Sequence, residues 1–175
     1  VVLYLKDDKT LTPDLVRKLV EDKLVGSVKY AVVRADPSKD DFLRRILDGV
    51  DRAIVVSGIG ERPAIVHMRD FGLPSFTTGS GCIAPRASLR LLSLLKAKDY
   101  AAAEKVRSAF IPLEDLRDEI SPIRVLHDAV AAAGVAETGP MLPGMDNLEP
   151  ADRARVEKAA KALYAFDQTQ DRAAA

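Results

Sequence analysis

The sequence predicts an α/β fold with a parallel sheet, followed by a helical region. Over positions 1–98, short apolar runs alternate four times with helical patterns, and each run precedes its helix. Repeated βα units of this kind form parallel sheets. From Asp99 onward the strand signals disappear, and the segments become alanine-rich, charged and amphipathic. Four βα units can form a small open sheet or half of an eight-stranded barrel, and the pattern alone does not choose between them.

The predicted strands are rich in apolar and β-branched residues, as strands covered on both faces require. We place them at Val1–Leu5, Val25–Val33, Arg52–Ser57 and Leu73–Thr78. A helix start follows each strand. Thr12 is the N-cap of the first helix and Pro13 its first residue, Ser38 caps the second, and Pro63 and Pro85 begin the third and fourth.

The predicted domain organisation has three parts. Residues 1–98 form the βα region, residues 99–167 a helical region, and residues 168–175 a disordered tail. The helical region is predicted to contain three helices, at Tyr100–Leu116, Pro122–Ala133 and Ala151–Phe166. Because Val1 already lies in a predicted strand, we expect that an N-terminal portion is missing.

The composition argues against several classes of function. Lys plus Arg and Asp plus Glu each total 26, so no net charge attracts nucleic acid or an anionic membrane. Cys82 is the only cysteine, which excludes an intramolecular disulfide and a zinc site of paired thiolates. No apolar run is long enough to span a bilayer. We therefore expect a cytoplasmic protein with a small-molecule or protein partner.

Lys29 needs an explanation, because it lies inside the apolar run Val25–Val33. A lysine amine removed from water loses its proton more easily, and the neutral amine is the form that attacks a ketone to give a Schiff base. The alternative is a lysine at a strand end whose ammonium group reaches solvent. Alternation along the strand places Ser27 and Ala31 on the face of Lys29, and Tyr30 on the face toward the helices.

Six segments of the chain share their order and spacing with a known family. They are Val1–Tyr4, Leu11–Asp14, Leu24–Lys29, Val56–Gly58, Phe76–Pro85 and Leu94–Glu104. In this arrangement the chain resembles the family of dihydrodipicolinate synthase, N-acetylneuraminate lyase and the sugar-acid dehydratases. The resemblance implies the C-terminal half of a TIM (β/α)8 barrel, with four βα units and a three-helix C-terminal region.

The resemblance also implies roles for individual residues. Lys29 stands where the family has its Schiff-base lysine, and Tyr4 where it has a proton-relaying tyrosine. Ser57 and Gly58 match the family's Ser-Gly pair beside the substrate. Lys9 is the candidate for binding the carboxylate of the second substrate, as a point charge in place of the family's arginine. The alternative for Tyr4 is a core tyrosine whose hydroxyl bonds to the backbone.

The implied activity is that of a lyase, either an aldolase or a sugar-acid dehydratase, acting on a 2-keto acid such as pyruvate through a lysine Schiff base. No metal or organic cofactor is implied, because the protonated imine is the electron sink. A homo-oligomer, specifically a tetramer, is implied as well. The family's carboxylate-gripping segment belongs to its first half, so we expect this chain alone to have negligible activity.

Two departures from the family pattern leave the substrate open. Leu5–Thr10 replaces the family's asparagine, proline and arginine after the tyrosine, which argues against dihydrodipicolinate synthase activity proper and favours the sugar-acid dehydratase branch. After Ser57 and Gly58, the chain continues with Ile59 and Gly60, where many relatives carry acidic residues.

The remaining polar candidates are expected to be structural. His67 and His127 are assigned surface or packing roles on predicted helices. Asp36, Asp40 and Asp41 flank a helix start and are expected to compensate its dipole rather than to bind metal. Two other functions stay open. One is a small open α/β domain that binds a ligand at its strand ends, and the other is a non-catalytic interaction protein derived from the family.

Overall fold

Three parallel strands form the sheet of the first unit, which spans Val1–Thr77 in the computed structural model. The structure describes residues 1–170. The strands lie in the order of the sequence, and they are β1 at Val2–Leu5, β2 at Ser27–Tyr30 and β3 at Val55–Ser57. The helices that follow them are α1 at Pro13–Glu21, α2 at Asp41–Leu47 and α3 at Ala64–Arg69. This order confirms the predicted α/β class with a parallel sheet.

The predicted fourth strand, Leu73–Thr78, is reduced to a single point of pairing. Phe76 forms an isolated parallel bridge with Ser57, supported by two backbone hydrogen bonds of 2.8 and 3.1 Å. Pro74 explains the difference, because proline has no backbone N–H to donate and its fixed φ does not extend a regular ladder. The fourth predicted strand was therefore too long.

Two other predicted strands also extend beyond the observed ladder. Arg52–Ile54 forms a 3-10 turn instead, since the Asp51 carboxylate accepts the backbone N–H of Ala53 at 2.9 Å. The predicted strand Val25–Val33 shortens to Ser27–Tyr30. An apolar run reports burial rather than strand pairing, so it overstates the length of a strand whose flanking residues are also buried.

Local sequence sets the helix starts. The Thr12 hydroxyl accepts a first-turn N–H of α1 at 3.3 Å, and Pro13 is the first helical residue, as predicted. The cap of α2 is Asp40, whose Oδ1 accepts a first-turn N–H at 3.1 Å. The prediction that Ser38 is this cap was wrong, because Ser38 lies in a separate 3-10 turn, Pro37–Lys39.

The core of the first unit lies between one face of the sheet and its helices. Each strand contributes an alternate apolar side chain to it, namely Leu5, Val28 and Val55, and these pack with Val16 of α1 and Ile46 of α2. Burying a side chain of this size stabilises the fold by roughly 1.5–3 kcal/mol. Along each strand, the residues adjacent to these core positions therefore point to the other face of the sheet.

The second unit, from Thr78 onward, is helical. Its helices are α4 at Pro85–Lys96, α5 at Tyr100–Ser108, α6 at Ile111–Glu119, α7 at Pro122–Ala132 and α8 at Pro150–Gln168. The predicted helix Tyr100–Leu116 is thus two helices, α5 and α6. Pro112 is the reason, because it lies in the first turn of α6 and would clash with a preceding turn inside one continuous helix.

The two units meet at Thr77 and Thr78 in sequence, whereas the predicted boundary lay after residue 98 and stays a prediction. Helix α8 continues through Gln168, the first residue of the predicted tail. Residues 171–175 of that tail lie outside the described residues. Near the end of α8, Asp167 is buried, and its Oδ1 accepts the backbone N–H of Ala87 at 2.8 Å in the first turn of α4. Asp167 therefore supplies the cap that α4 lacks from its own N-cap residue, Ala84.

Asp40 joins α2 to the sheet through three different partners. Besides capping α2, it accepts a 2.6 Å hydrogen bond from the Tyr30 hydroxyl through Oδ2. Its Oδ1 also lies 3.2 Å from Nε of Arg34. Arg34 in turn donates to Asp8, in the loop after β1, at 2.8 Å. Asp40 lies at a helix start, as expected, but its role as the cap and the network that its buried carboxylate forms were not predicted from the sequence.

Replacing Asp40 with alanine should destabilise the first unit strongly. The change leaves the Tyr30 hydroxyl and the Arg34 guanidinium without their carboxylate, and breaking one side of a buried charged pair costs about 3–5 kcal/mol. The matched control is Asp41→Ala at the neighbouring exposed position, where only a helix-dipole contribution of about 0.3–1 kcal/mol is lost. The free energy of unfolding from chemical denaturation measures both. Equal losses in the two variants would contradict the network.

Candidate active site

Tyr4 and Lys29 lie side by side on the face of the sheet opposite the helices. The parallel register pairs Tyr4 with Lys29 across β1 and β2. Nζ of Lys29 is 4.4 Å from the centroid of the Tyr4 ring. The predicted placement of both side chains on one face is therefore confirmed. Their neighbours Leu5 and Tyr30, one position further along each strand, point into the helix-covered core.

Both side chains of this pair remain accessible. Tyr4 is 50% exposed, which contradicts the alternative of a core tyrosine. Lys29 is half-buried, with its amine over the aromatic ring. An ammonium group in this position is attracted by the ring face. A phenol can both donate and accept a proton, so the pair places an amine beside a group that can exchange protons.

Gly58 brings the backbone at the end of β3 against Lys29. A Cβ at this position would lie 2.8 Å from Cγ of Lys29 and 2.9 Å from the backbone oxygen of Tyr30. The Gly58 N–H donates to that same oxygen of Tyr30 at 2.6 Å. Only a residue without a side chain fits so close an approach. Gly58 therefore confines the aliphatic stem of Lys29 from the side of β3.

The Ser57 hydroxyl lies on the opposite face of the sheet from Lys29. The register pairs Ser57 with Tyr30, whereas Val56 is the residue level with Lys29. Ser57 is fully buried, and its Oγ is 2.8 Å from Nδ1 of His67. The geometry brings Gly58 to Lys29 but directs the Ser57 side chain toward α3, so substrate binding by Ser57 stays a prediction without support from its hydroxyl.

His67 is a buried member of this region rather than a surface residue. It is 1% exposed, and its ring makes edge contacts with Tyr30 and Phe71 at centroid distances of 6.1 and 6.0 Å. Burial lowers the pKa of His67 to about 4, although the Asp40 carboxylate opposes this shift. His67 is therefore neutral at pH 7. The packing alternative of the prediction is the one that holds.

Lys9 lies in the exposed loop between β1 and α1. The Asp7 carboxylate organises this loop, accepting the backbone N–H of Lys9 at 2.9 Å and that of Thr10 at 2.8 Å. These hydrogen bonds hold the pKa of Asp7 below its usual value. The structure fixes the backbone of Lys9 but shows no contact between its side chain and the pair of Tyr4 and Lys29. Its role in carboxylate binding stays a prediction.

The part of the chain that the structure describes contains neither a candidate metal site nor a candidate membrane-spanning helix. No group of three or more His, Cys, Asp or Glu side chains within residues 1–170 is arranged to hold a metal ion. Over the same residues, every helix is too short or too polar to cross a bilayer.

Comparison with known proteins gives a clear result at the level of structure. No family model matches the sequence, and none of the curated proteins matches it. Solved structures of dihydrodipicolinate synthase, in contrast, superpose on most of the chain. The enzyme from Oceanobacillus iheyensis covers 92% of this chain with a TM-score of 0.78 at 23% sequence identity. The chain has the fold of about half of a dihydrodipicolinate synthase.

Two further structures with the dihydrodipicolinate synthase fold support the assignment. The enzyme from Bacillus clausii covers 92% of this chain with a TM-score of 0.78 at 18% identity. A prophage protein of the dihydrodipicolinic acid synthase family from E. coli, solved in complex with pyruvate, covers 93% with a TM-score of 0.71 at 20% identity. The chain spans 53–55% of the length of these three structures. The predicted resemblance to half of this barrel is confirmed for the fold.

Replacing Gly58 with alanine should displace Lys29. The new methyl group would overlap both the Lys29 stem and a backbone oxygen, and forcing an extra methyl into such a space typically costs about 1–3 kcal/mol. Gly26→Ala is the matched control, because nothing lies within 4 Å of a Cβ there. Reductive methylation of Lys29, followed by mass spectrometry, should change in rate only in the Gly58 variant. An unchanged rate and unchanged stability would contradict the close approach.

The buried His67 should make stability depend on pH in a defined window. The unfolded chain takes up a proton on His67 near its ordinary pKa of 6.5, whereas the folded chain does so only near 4. Lowering the pH from 6.5 to 4 should therefore destabilise the fold, by up to about 3 kcal/mol from this residue. His67→Gln keeps a partner for the Ser57 hydroxyl but cannot titrate. The stability difference between the two proteins should vary across this window, and a constant difference would refute the assignment.

Proposed function

We propose that Lys29 forms a Schiff base with a 2-keto acid, and that the protein of which this chain provides the lysine is a lyase, either an aldolase or a sugar-acid dehydratase. The observation that carries the proposal is the accessible amine of Lys29 at 4.4 Å from the Tyr4 ring, on the open face of the sheet. The similarity to the dihydrodipicolinate synthase fold supports the proposal. In this chain, Tyr4 lies on β1 and Lys29 on β2.

The proposed chemistry begins with the neutral amine of Lys29. Its nitrogen attacks the carbonyl carbon of the keto acid, a C–N bond forms, and the carbonyl oxygen takes up a proton. Loss of that oxygen as water leaves a protonated imine. In aldol cleavage the imine accepts the electron pair of the C–C bond that breaks. In dehydration it accepts the pair of an adjacent C–H bond, and the resulting enamine then expels a hydroxyl group, which leaves as water. No redox partner is needed, because no electrons leave the substrate and lysine.

Tyr4 is proposed to carry the protons of these steps. The Tyr4 ring centroid lies 4.4 Å from the Lys29 amine, and Tyr4 is half exposed to solvent. A positioned acid and base of this kind contributes typically 10²–10⁴-fold to the rate. Gly58 is proposed to contribute by holding the Lys29 stem, so that the amine stays beside the phenol.

The proposal specifies a 2-keto acid as the substrate class but no individual compound. Pyruvate is bound in the related E. coli structure, which makes it a suitable first probe. The chain spans about half the length of the related structures, so we expect imine formation by these 175 residues but not lyase turnover. A cytoplasmic location, expected from the composition, and a homo-oligomeric state, implied by the resemblance, are further parts of the proposal.

Borohydride reduction in the presence of pyruvate should attach a stable adduct to Lys29. Mass spectrometry of the digested chain measures the occupancy of every lysine, and Lys29 should exceed the exposed lysines. Lys29→Met keeps the length of the side chain but removes the amine, so the adduct at position 29 should be lost. Tyr4→Phe should slow adduct formation by roughly 10²-fold through loss of proton transfer.

The control for these variants is Lys158→Met, on the exposed surface of α8, which should leave labelling of Lys29 unchanged. A Lys29 occupancy no higher than that of the exposed lysines would refute the Schiff-base role. That outcome would favour the alternatives of a ligand-binding domain or a non-catalytic protein.

A further inference from the structure

A set of buried polar side chains lies on the helix side of the sheet, behind the open face. Its members are Asp40, Tyr30, His67 and Ser57, and all four are fully buried. The Tyr30 hydroxyl donates to Asp40 at 2.6 Å, and Oγ of Ser57 lies 2.8 Å from Nδ1 of His67. The rings of His67 and Tyr30 are in edge contact, with their centroids 6.1 Å apart. The set therefore runs from the start of α2 across β2 and β3 to α3.

The two hydrogen bonds of this set follow the same pattern in the chain. Tyr30 is the last residue of β2 and Ser57 the last residue of β3, and the parallel register pairs them. Each bonds to a residue ten positions later, Asp40 at the start of α2 and His67 in α3. Movement of either strand end relative to its helix would leave a buried polar group without its partner, which is costly.

The residues next to this set form the open-face site. Lys29 precedes Tyr30 on β2. Gly58 follows Ser57 directly after β3, and its N–H donates to the Tyr30 backbone oxygen at 2.6 Å. A Cβ on Gly58 would lie 2.8 Å from Cγ of Lys29. A displacement of Ser57 therefore shifts Gly58 against the stem that carries the Lys29 amine.

The side-chain bond of Ser57 restrains a direction that its backbone bonds do not. The Ser57 backbone donates to Ser75 at 3.1 Å and accepts from Thr77 at 2.8 Å. Backbone bonds of this kind lie in the plane of the sheet, whereas side chains stand roughly perpendicular to it. The bond between Ser57 and His67 therefore fixes the strand end along the normal to the sheet. This is the direction along which Gly58 approaches the open face.

We propose that His67 is a positioning residue for the Lys29 amine. Its hydrogen bond to Ser57 fixes Gly58, and Gly58 confines the stem that carries the amine over the Tyr4 ring. The inference rests on the proposed function for the role of Lys29 as the reacting amine. His67 itself lies on the opposite side of the sheet and acts through the backbone. Positioning matters for such an amine, because a misplacement of about 1 Å can cost about 10²-fold in rate.

Two measurements on Lys29 test this inference. Reductive methylation reports how accessible the amine is, and borohydride trapping with pyruvate reports how well it is placed for imine formation. Both are read by mass spectrometry on the 175-residue chain, as ratios to the exposed Lys158 of α8. His67→Phe keeps a ring against Tyr30 but removes the bond to Ser57. Lys29 should then behave like an exposed lysine, so the methylation ratio should rise and the pyruvate ratio fall.

The expected size of both changes is about fivefold, which corresponds to the loss of one neutral hydrogen bond. Ser57→Ala removes the same bond with a smaller change of volume, so it tests the inference even where His67→Phe does not fold. The two variants should have equal effects, and combining them should add nothing further, because they remove one interaction. His67→Gln keeps a partner for the Ser57 hydroxyl and should restore both ratios.

The matched control is Ile46→Val, which removes one methylene group from the same buried core and should leave both ratios unchanged. Equal changes in this control would overturn the positioning role, because a loss of stability alone would then move Lys29. Unchanged ratios in Ser57→Ala and His67→Phe would overturn it as well. Absence of a preferred pyruvate adduct on Lys29 in the unmodified chain would overturn the proposed function instead. The methylation ratios would then decide by themselves whether His67 sets the position of Lys29.

Discussion

Burial of one face of the sheet is the constraint on which the rest of the site depends. Leu5, Val28 and Val55 pack against α1 and α2. Because side chains alternate along a strand, the adjacent residues of each strand point to the opposite face. Tyr4 and Lys29 meet there because the parallel register makes them partners. A shift of one residue in either strand would bury the amine and expose a core side chain, so the stability of the core protects the geometry of the site.

The end of β3 serves both faces of the sheet with two consecutive residues. The Ser57 hydroxyl forms a hydrogen bond with His67 on the helix side. The Gly58 backbone lies close to the aliphatic stem of Lys29 on the other side. The position of Gly58 is thus tied to a buried hydrogen bond that does not itself touch the open face. His67 therefore contributes to the site indirectly, because its hydrogen bond holds Ser57 and, with it, the adjacent Gly58.

Much of the fold and part of the site could be predicted from the sequence. Apolar alternation and proline-marked helix starts predicted the βα order, and the run around Lys29 predicted which face carries the amine. The limits have physical causes: an apolar pattern reports burial, so it did not register that Pro74 prevents a fourth strand. Helical spacing of His67 with Ala64 and Phe71 would have placed it inside, had the histidine been treated as part of the apolar face. The partners of Asp40 depend on tertiary contacts that no local pattern contains.

The bond between Tyr30 and Asp40 has a consequence for how the first unit assembles. The two residues are separated by 10 positions, so the contact closes a short loop from the end of β2 to the start of α2. The entropy lost on closing a loop grows with its length, and a closure this short costs little chain freedom. β2 and α2 can therefore dock before the longer connections of the unit are made. The strand that carries Lys29 is thus joined to α2 across a short loop, and Arg34 extends the same network to the loop after β1 through Asp8.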